Sequence, residues 1–328
     1  MGGKIRVGFV GCGRVSDNHY QALLLCENAQ LVAVSDLNRE IARSKARKWK
    51  VDEMSCEEIC ERKDLDALFI LTPPHTHFAY VERALLHGKH VLVEKPVSFE
   101  LDEITRMRDL ARMTGKVCMP GHSYLYLPEL QRAKRIVQEG EIGMPLLFYF
   151  SEIYFMPPEL ARKYLGPLGE VLWHHIYLML AFLGVPRRVH AFKTCLRRRE
   201  IPTGDEQVMV NAEYASGALA HLCISWALED ETSDPWTFKL KLLGTDGGIH
   251  FSRRDVVSKT SNGKPPWEYP LYQEMFNWEV NYFVNRCVLE GSSPPSSLVE
   301  AEWTLKILQA IQESLSSGCA QNVENVIR

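Results

Sequence analysis

Two groups of residues in this chain have the types and spacing for proton chemistry. The first is Glu94-Lys95-Pro96, directly after the strand-like run Lys89-His90-Val91-Leu92-Val93. Proline fixes its own φ and biases its predecessor toward extended backbone, so Lys95 is held in a set direction. A lysine fixed at a strand end supplies a hydrogen-bond donor and a positive charge for an oxygen that is becoming negative. The second group is Glu170 and His174, spaced i and i+4, which puts them on one face of an expected helix. A carboxylate beside an imidazole orients the ring and raises its basicity, as removal of a hydroxyl proton requires. An isolated pair of this kind is usually a surface ion pair, so its weight depends on what accompanies it. His175 points about 100° further around the helix and is a weaker candidate.

What accompanies it is a glycine-rich turn, Gly11-Cys12-Gly13-Arg14-Val15-Ser16, between a strand and a helix. Gly11 permits the tight turn, and Gly13 lets the backbone approach a pyrophosphate at the positive end of the helix. Ser16 takes the third small position. Such a turn alone is a weak signal, since any strand-to-helix turn can resemble it. Here Asp36 ends the second strand, where a carboxylate can accept from both ribose hydroxyls of a dinucleotide. That charge would repel a 2′-phosphate, so NAD is favoured, while Arg39 leaves NADP open. Thr72-Pro73-Pro74-His75 lies at the carboxyl end of an apolar strand, the edge where doubly wound folds bind ligands. His77 reads as a residue of a helix start rather than a catalyst.

The elements that would position these residues alternate over the first 120 or so positions. Strands are expected at Ile5–Val10, Leu31–Ser35, Ala67–Leu71, Val91–Val93 and Lys116–Met119, with helices between them. Repeated βα units imply a parallel, doubly wound sheet. Beyond Pro128 the pattern changes. A helix is expected from Glu129 to Gln138 and another from Glu170 to Leu183, and β-rich segments follow at Arg188–Cys195, Gln207–Tyr214, Ala218–Trp226, Phe238–Leu243 and Gly248–Phe251. Helices at Tyr272–Leu289 and Leu298–Leu315 close the chain, and Ser258–Pro270 is the best candidate for a flexible loop. The fold class is therefore α/β: an N-terminal Rossmann domain at 1–121, then an α+β domain at 122–328.

Bulk properties exclude several classes of function. The chain has 328 residues, is 46% hydrophobic and carries a net charge of −3 with no basic block, which argues against nucleic-acid partners. No apolar run approaches the roughly 20 residues of a membrane helix. Met1-Gly2-Gly3-Lys4 leads straight into a strand, with no room for a signal peptide. Nine scattered cysteines read as reduced structural thiols of a cytoplasmic protein, and Cys56 with Cys60 lacks the second ligand pair of a zinc site, so no metal is expected.

Together these features resemble the Gfo/Idh/MocA family of NAD(P)-dependent oxidoreductases, which act mainly on sugars, cyclitols and their derivatives. The resemblance runs through Val7–Arg14, Asp66–Pro73, Glu94-Lys95-Pro96, Gly140-Glu141-Ile142-Gly143 and Ala310–Gly318. It implies a second domain built on a large, mostly antiparallel sheet, and a homodimer or homotetramer formed through that sheet. It implies cofactor contacts at Gly11, Gly13, Arg14, Val15, Asp36, Arg39, Thr72, Pro73, His77, Glu94 and Lys95. It also implies catalysis by Lys95, Glu170 and His174, and contacts to a polyhydroxylated substrate from Lys95, Tyr124, His174 and Tyr177. In the family's helix motif Asp-x-Gly-x-His-x-x-Asp, Glu170 takes the first aspartate position and His174 the histidine. Leu172 replaces the glycine and Tyr177 the last aspartate. Pro74 replaces a common asparagine, and His122–Tyr126 lacks a frequent arginine. The reaction so implied is hydride transfer between nicotinamide and a secondary alcohol or ketone. The alternatives are a glycoside-cleaving redox elimination that uses NAD transiently, and a cofactor-binding regulatory protein with little turnover. Tyr124, Tyr126, Trp173, Trp236 and Trp267 are aromatics able to stack on a sugar face, though each individually suits core or rim packing.

Overall fold

The computed structural model describes residues 3–162, 166–196, 204–227, 237–252 and 270–325. Trp236, Trp267 and nearly all of the expected Ser258–Pro270 loop lie outside these residues. The chain forms two compact units, one of residues 1–127 with 273–302, the other of 128–272 with 303–328. The chain first passes between the units at 127/128, and the segment 273–302 returns to the first unit, which periodicity does not foresee.

The first unit holds a parallel sheet of β1 (Ile5–Val10), β2 (Ala29–Ser35), β3 (Asp52–Glu53), β4 (Ala67–Ile70), β5 (His90–Glu94) and β6 (Cys118–Gly121). Its strand order is β3-β2-β1-β4-β5-β6, so the direction of winding switches between β1 and β4. Clefts for ligands form at that switch, outside the carboxyl ends of the strands. Leu68, Phe69, Ile70, Val91, Leu92 and Val93 are fully buried, which is why these strands are continuously apolar. The intervening helices are α1 (Arg14–Leu24), α2 (Arg39–Trp49), α3 (Cys56–Glu61), α4 (His77–Leu86) and α5 (Leu101–Thr114). Local chemistry sets their ends. Asn38 caps α2 by accepting from the Glu40 and Ile41 N–H groups, and Ser55 with Glu58 forms a reciprocal capping box on α3. The returning segment packs on the same core. It comprises most of α10 (Pro270–Asn281) and a π-helical turn, Tyr282–Leu289. Phe283 meets Phe69 edge-on at 5.5 Å, and Phe276 meets His19 at 5.0 Å.

In the second unit are α6 (Pro128–Gln138), α7 (Pro158–Ala161), α8 (Gly166–Glu170), α9 (Leu172–Leu183) and most of α11 (Leu298–Ser317). Its sheet contains β7 (Pro145–Ile153), β8 (Arg188–Thr194), β9 (Gln207–Glu213), β10 (Leu219–Ser225), β11 (Thr237–Gly244), β12 (Gly248–Ser252) and β13 (Gln321–Asn322). The order is β12-β11-β7-β10-β9-β8-β13, and every neighbouring pair is antiparallel except β7 with β10. One face, with Phe148, Phe150, Val210, Leu222 and Leu242, is buried. Helix α9 covers part of it, placing Phe182 against Phe148 and His175 against Phe150. The opposite face is open and partly apolar, with Phe192 57%, Met209 42% and Leu219 53% exposed. No helix among the described residues is long and apolar enough to cross a membrane.

One local expectation fails. A single helix from Glu170 to Leu183 was expected, but α8 ends at Glu170 and α9 starts at Leu172, with Val171 between them. Val171 keeps right-handed helical backbone (φ −103°, ψ −38°), so Glu170 and His174 lie on either side of a one-residue irregularity in a nearly continuous helical path.

Candidate active site

In the first unit the sequence builds a dinucleotide cradle. Gly11 has φ +100°, and a Cβ there would lie 2.7 Å from the Leu71 carbonyl carbon, so only glycine fits. Gly13 differs: its backbone is extended, and nothing lies within 4 Å of the Cβ it lacks. It precedes α1, whose first N–H groups receive no side-chain cap, so an open and electropositive helix start faces that space. Arg14 is exposed and Val15 half-buried beside it. Asp36 accepts the Cys12 N–H at 2.8 Å through Oδ2 and the Asn38 N–H at 2.8 Å through Oδ1. These bonds lock the carboxylate at the end of β2, and each oxygen keeps a lone pair for a ribose hydroxyl. Arg39 is exposed at the start of α2. The residues present fit a dinucleotide.

The Lys95 loop is anchored from three sides. Glu94 Oε1 is 2.8 Å from His19 Nε2 on α1, while Oε2 accepts the Lys95 N–H at 3.0 Å. Burial works to raise the Glu94 carboxyl, but the His19 hydrogen bond and the His19 and Lys95 charges bring it below its ordinary value. The Lys95–Pro96 peptide is cis. Gly121 of β6 pairs with Glu94, and a Cβ on it would come within 3.2 Å of the Val93 oxygen. His77 is fully buried. Its Nε2 is 2.7 Å from the Thr72 oxygen and its Nδ1 3.1 Å from the Val97 oxygen. It sits between the Thr72-Pro73 loop and the Lys95-Pro96 loop, where its neutral form donates to one of these two carbonyls, and burial pushes its imidazole down.

Three residues here escaped sequence reasoning: His19, His122 and Glu279. His122 is buried, with Ser296 Oγ 2.6 Å from its Nδ1. Burial pushes it down to about 3; the Glu94 charge opposes this and the Lys95 charge adds to it. Its position just beyond β6 was the available signal. Glu279 is fully buried, and neither carboxyl oxygen has a partner among the described residues. Burial, then the Glu94 charge, pushes it well above the ordinary carboxyl range. Glu279 lies three residues after Phe276 and four before Phe283, both buried, so helical periodicity does place it on the inner face.

In the second unit, His174 is half-buried on α9, and its Nδ1 is 2.6 Å from the Tyr177 hydroxyl. Tyr177, expected at the substrate, is fully buried. Glu170 is half-buried at the end of α8. His175 turns inward to Glu152 at 3.2 Å under the helix, where burial pushes its imidazole down despite that carboxylate. The expected sugar-stacking residues Tyr124, Tyr126 and Trp173 are all 3% exposed or less. The Tyr177 hydroxyl, which the family motif placed at the substrate, lies against the His174 ring.

Residues 5–122 match the profile of the oxidoreductase family with an NAD-binding Rossmann fold, and residues 130–250 match the GFO/IDH/MocA C-terminal domain. The scyllo-inositol 2-dehydrogenase (NAD(+)) of Bacillus subtilis (strain 168) is 26% identical over 333 residues, covering 96% of this chain and 95% of that protein. The myo-inositol 2-dehydrogenase of Thermotoga maritima is 27% identical over 340 residues, covering 98% of this chain and all of that one. Among solved structures, scyllo-inositol dehydrogenase from Lactobacillus casei with bound NAD(H) and scyllo-inositol superposes with a TM-score of 0.86. It is 19% identical and covers 98% of this chain and 100% of that chain. The chain belongs to the GFO/IDH/MocA family of NAD(P)-binding oxidoreductases.

Proposed function

We propose that the protein is an NAD-dependent dehydrogenase of a secondary alcohol on a cyclitol or a related polyhydroxylated ring. Supporting this most is the Lys95 loop, whose lysine is fixed at a strand end by Glu94 and His19. The substrate class draws support from relatives named as inositol dehydrogenases that match over nearly the whole of both chains. A bound nicotinamide would supply the acceptor for the hydride of the carbinol carbon. His174 takes the hydroxyl proton at Nε2, so the alcohol leaves as a ketone with one hydride and one proton accounted for. Lys95 stabilises the negative charge that builds on the oxygen as its proton departs. Asp36 selects NAD by accepting from the ribose hydroxyls and repelling a 2′-phosphate. The open, partly apolar face around Phe192 and Met209 supports self-association through the second sheet, which light scattering checks.

The deciding experiment offers purified protein a panel of inositols and sugars with NAD or NADP and follows the reduced-nicotinamide absorbance. Steady NADH formation with a cyclitol is the expected result. Glycoside cleavage without accumulated NADH would replace this reading with a transient redox elimination. Tight NAD binding with no turnover across the panel would make the protein a cofactor-binding regulator.

A further inference from the structure

His174 and Tyr177 are three residues apart on α9, and so are neighbours on its surface. The Tyr177 side chain is fully buried, its ring meets the imidazole edge-on at a centroid distance of 5.4 Å, and its hydroxyl lies 2.6 Å from Nδ1. A contact that short carries one proton between the two atoms.

We infer that Tyr177 is the positioning residue of His174, and that a neutral phenol sets the strength of this base. The inference rests on the reading of His174 as the proton acceptor. A phenol hydroxyl can donate or accept. With the ring proton on Nδ1, N–H donates to the phenol oxygen and Nε2 presents its lone pair. When Nε2 takes the substrate proton, the imidazolium keeps the same Nδ1–H···O bond, so the ring does not move during the transfer. A carboxylate at this place would strengthen that bond roughly twofold through its charge and make a stronger base. A phenol leaves His174 a weaker base, one that returns its proton to a product oxygen more readily. Burial keeps water from competing for Nδ1 and removes Tyr177 from direct contact with a solvated substrate.

Tyr177→Phe tests this, because it keeps the packing of the ring and deletes only the oxygen. The expected result is a fall in kcat of about 10²-fold, the scale of general-base catalysis, with KM nearly unchanged. The acidic limb of the kcat/KM profile moves to lower pH, since the imidazolium loses its acceptor, and Tyr177→Asp moves it to higher pH. A raised KM with kcat retained would make Tyr177 a substrate contact and overturn the inference. A second arm needs no substrate. Nitrogen-15 NMR of labelled histidines, with the His174 signal assigned through His174→Gln, reports the tautomer and titration of the ring. Both change in Tyr177→Phe if the hydroxyl controls the ring, and identical His174 spectra would overturn the inference. Should no panel compound be turned over, the proposed reaction fails while the NMR arm still decides the role of Tyr177.

Discussion

Lys95 owes its placement to neighbours more than to its own charge. The Glu94 carboxylate holds its backbone N–H, His19 holds Glu94, and His77 lies 3.1 Å from the Val97 carbonyl oxygen two residues on. Lys95→Ala should therefore leave dinucleotide binding within about twofold and lower kcat by 10²-fold or more, as loss of an electrostatic donor does. His174→Ala should act alike, and a cofactor titration beside turnover measurement separates binding from chemistry in both. Asp36→Ala should behave differently. It removes the ribose acceptor, so the NAD-to-NADP ratio of kcat/KM falls about tenfold or more. It also strips the acceptor from the Cys12 and Asn38 N–H groups, a cost of about 1–3 kcal/mol visible in a thermal melt. Lys95 and Asp36 were legible in the sequence because their signals are local: a strand end, a following proline, a fixed distance from a glycine turn. His19 and Glu279 were not, since what makes each notable is a partner or a burial brought by residues far along the chain.

At the scale of elements, the glycine turn is the most constrained. Gly11→Ala must place a methyl 2.7 Å from the Leu71 carbonyl carbon at φ +100°. Strain of about 1–3 kcal/mol follows, and relief requires the β4 exit loop to move. A lowered melting temperature with weakened NAD affinity is the expected outcome, and a variant matching the parent in both would show that the turn tolerates a side chain. The strands were readable, because continuous apolar runs mark a sheet covered on two faces and alternation marks one covered on a single face. The α8–α9 break was not readable. Leu172–Leu183 is apolar nearly all round, so its periodicity does not mark where the helix starts, and Glu170 looked like its first turn.

For the whole molecule, buried titratable groups predict how stability varies with pH. Below pH 6.5 the unfolded chain binds a proton at His122 that the folded chain refuses until about pH 3, so stability falls as pH drops through that window. His90, pushed down to about 4 by burial and the Lys116 charge, acts in the same direction. Glu279 acts oppositely. Above pH 4.5 the unfolded chain releases a proton that the folded chain keeps, so stability falls as pH rises. Each group contributes a slope of about 1.4 kcal/mol per pH unit inside its window. Chemical denaturation of Glu279→Gln should therefore show a stability gain over the parent that grows with pH from about 5 upward. A difference independent of pH would mean that Glu279 ionises in the native state.

The return of residues 273–302 to the first unit bears on how the molecule is made. A ribosome finishes the six-stranded sheet long before it supplies Phe276 and Phe283, the rings that meet His19 and Phe69. For nearly half of synthesis the nascent nucleotide-binding half must keep that apolar wall uncovered, or covered by something borrowed. Translation order, not only thermodynamics, thus decides when the core of the first unit is completed.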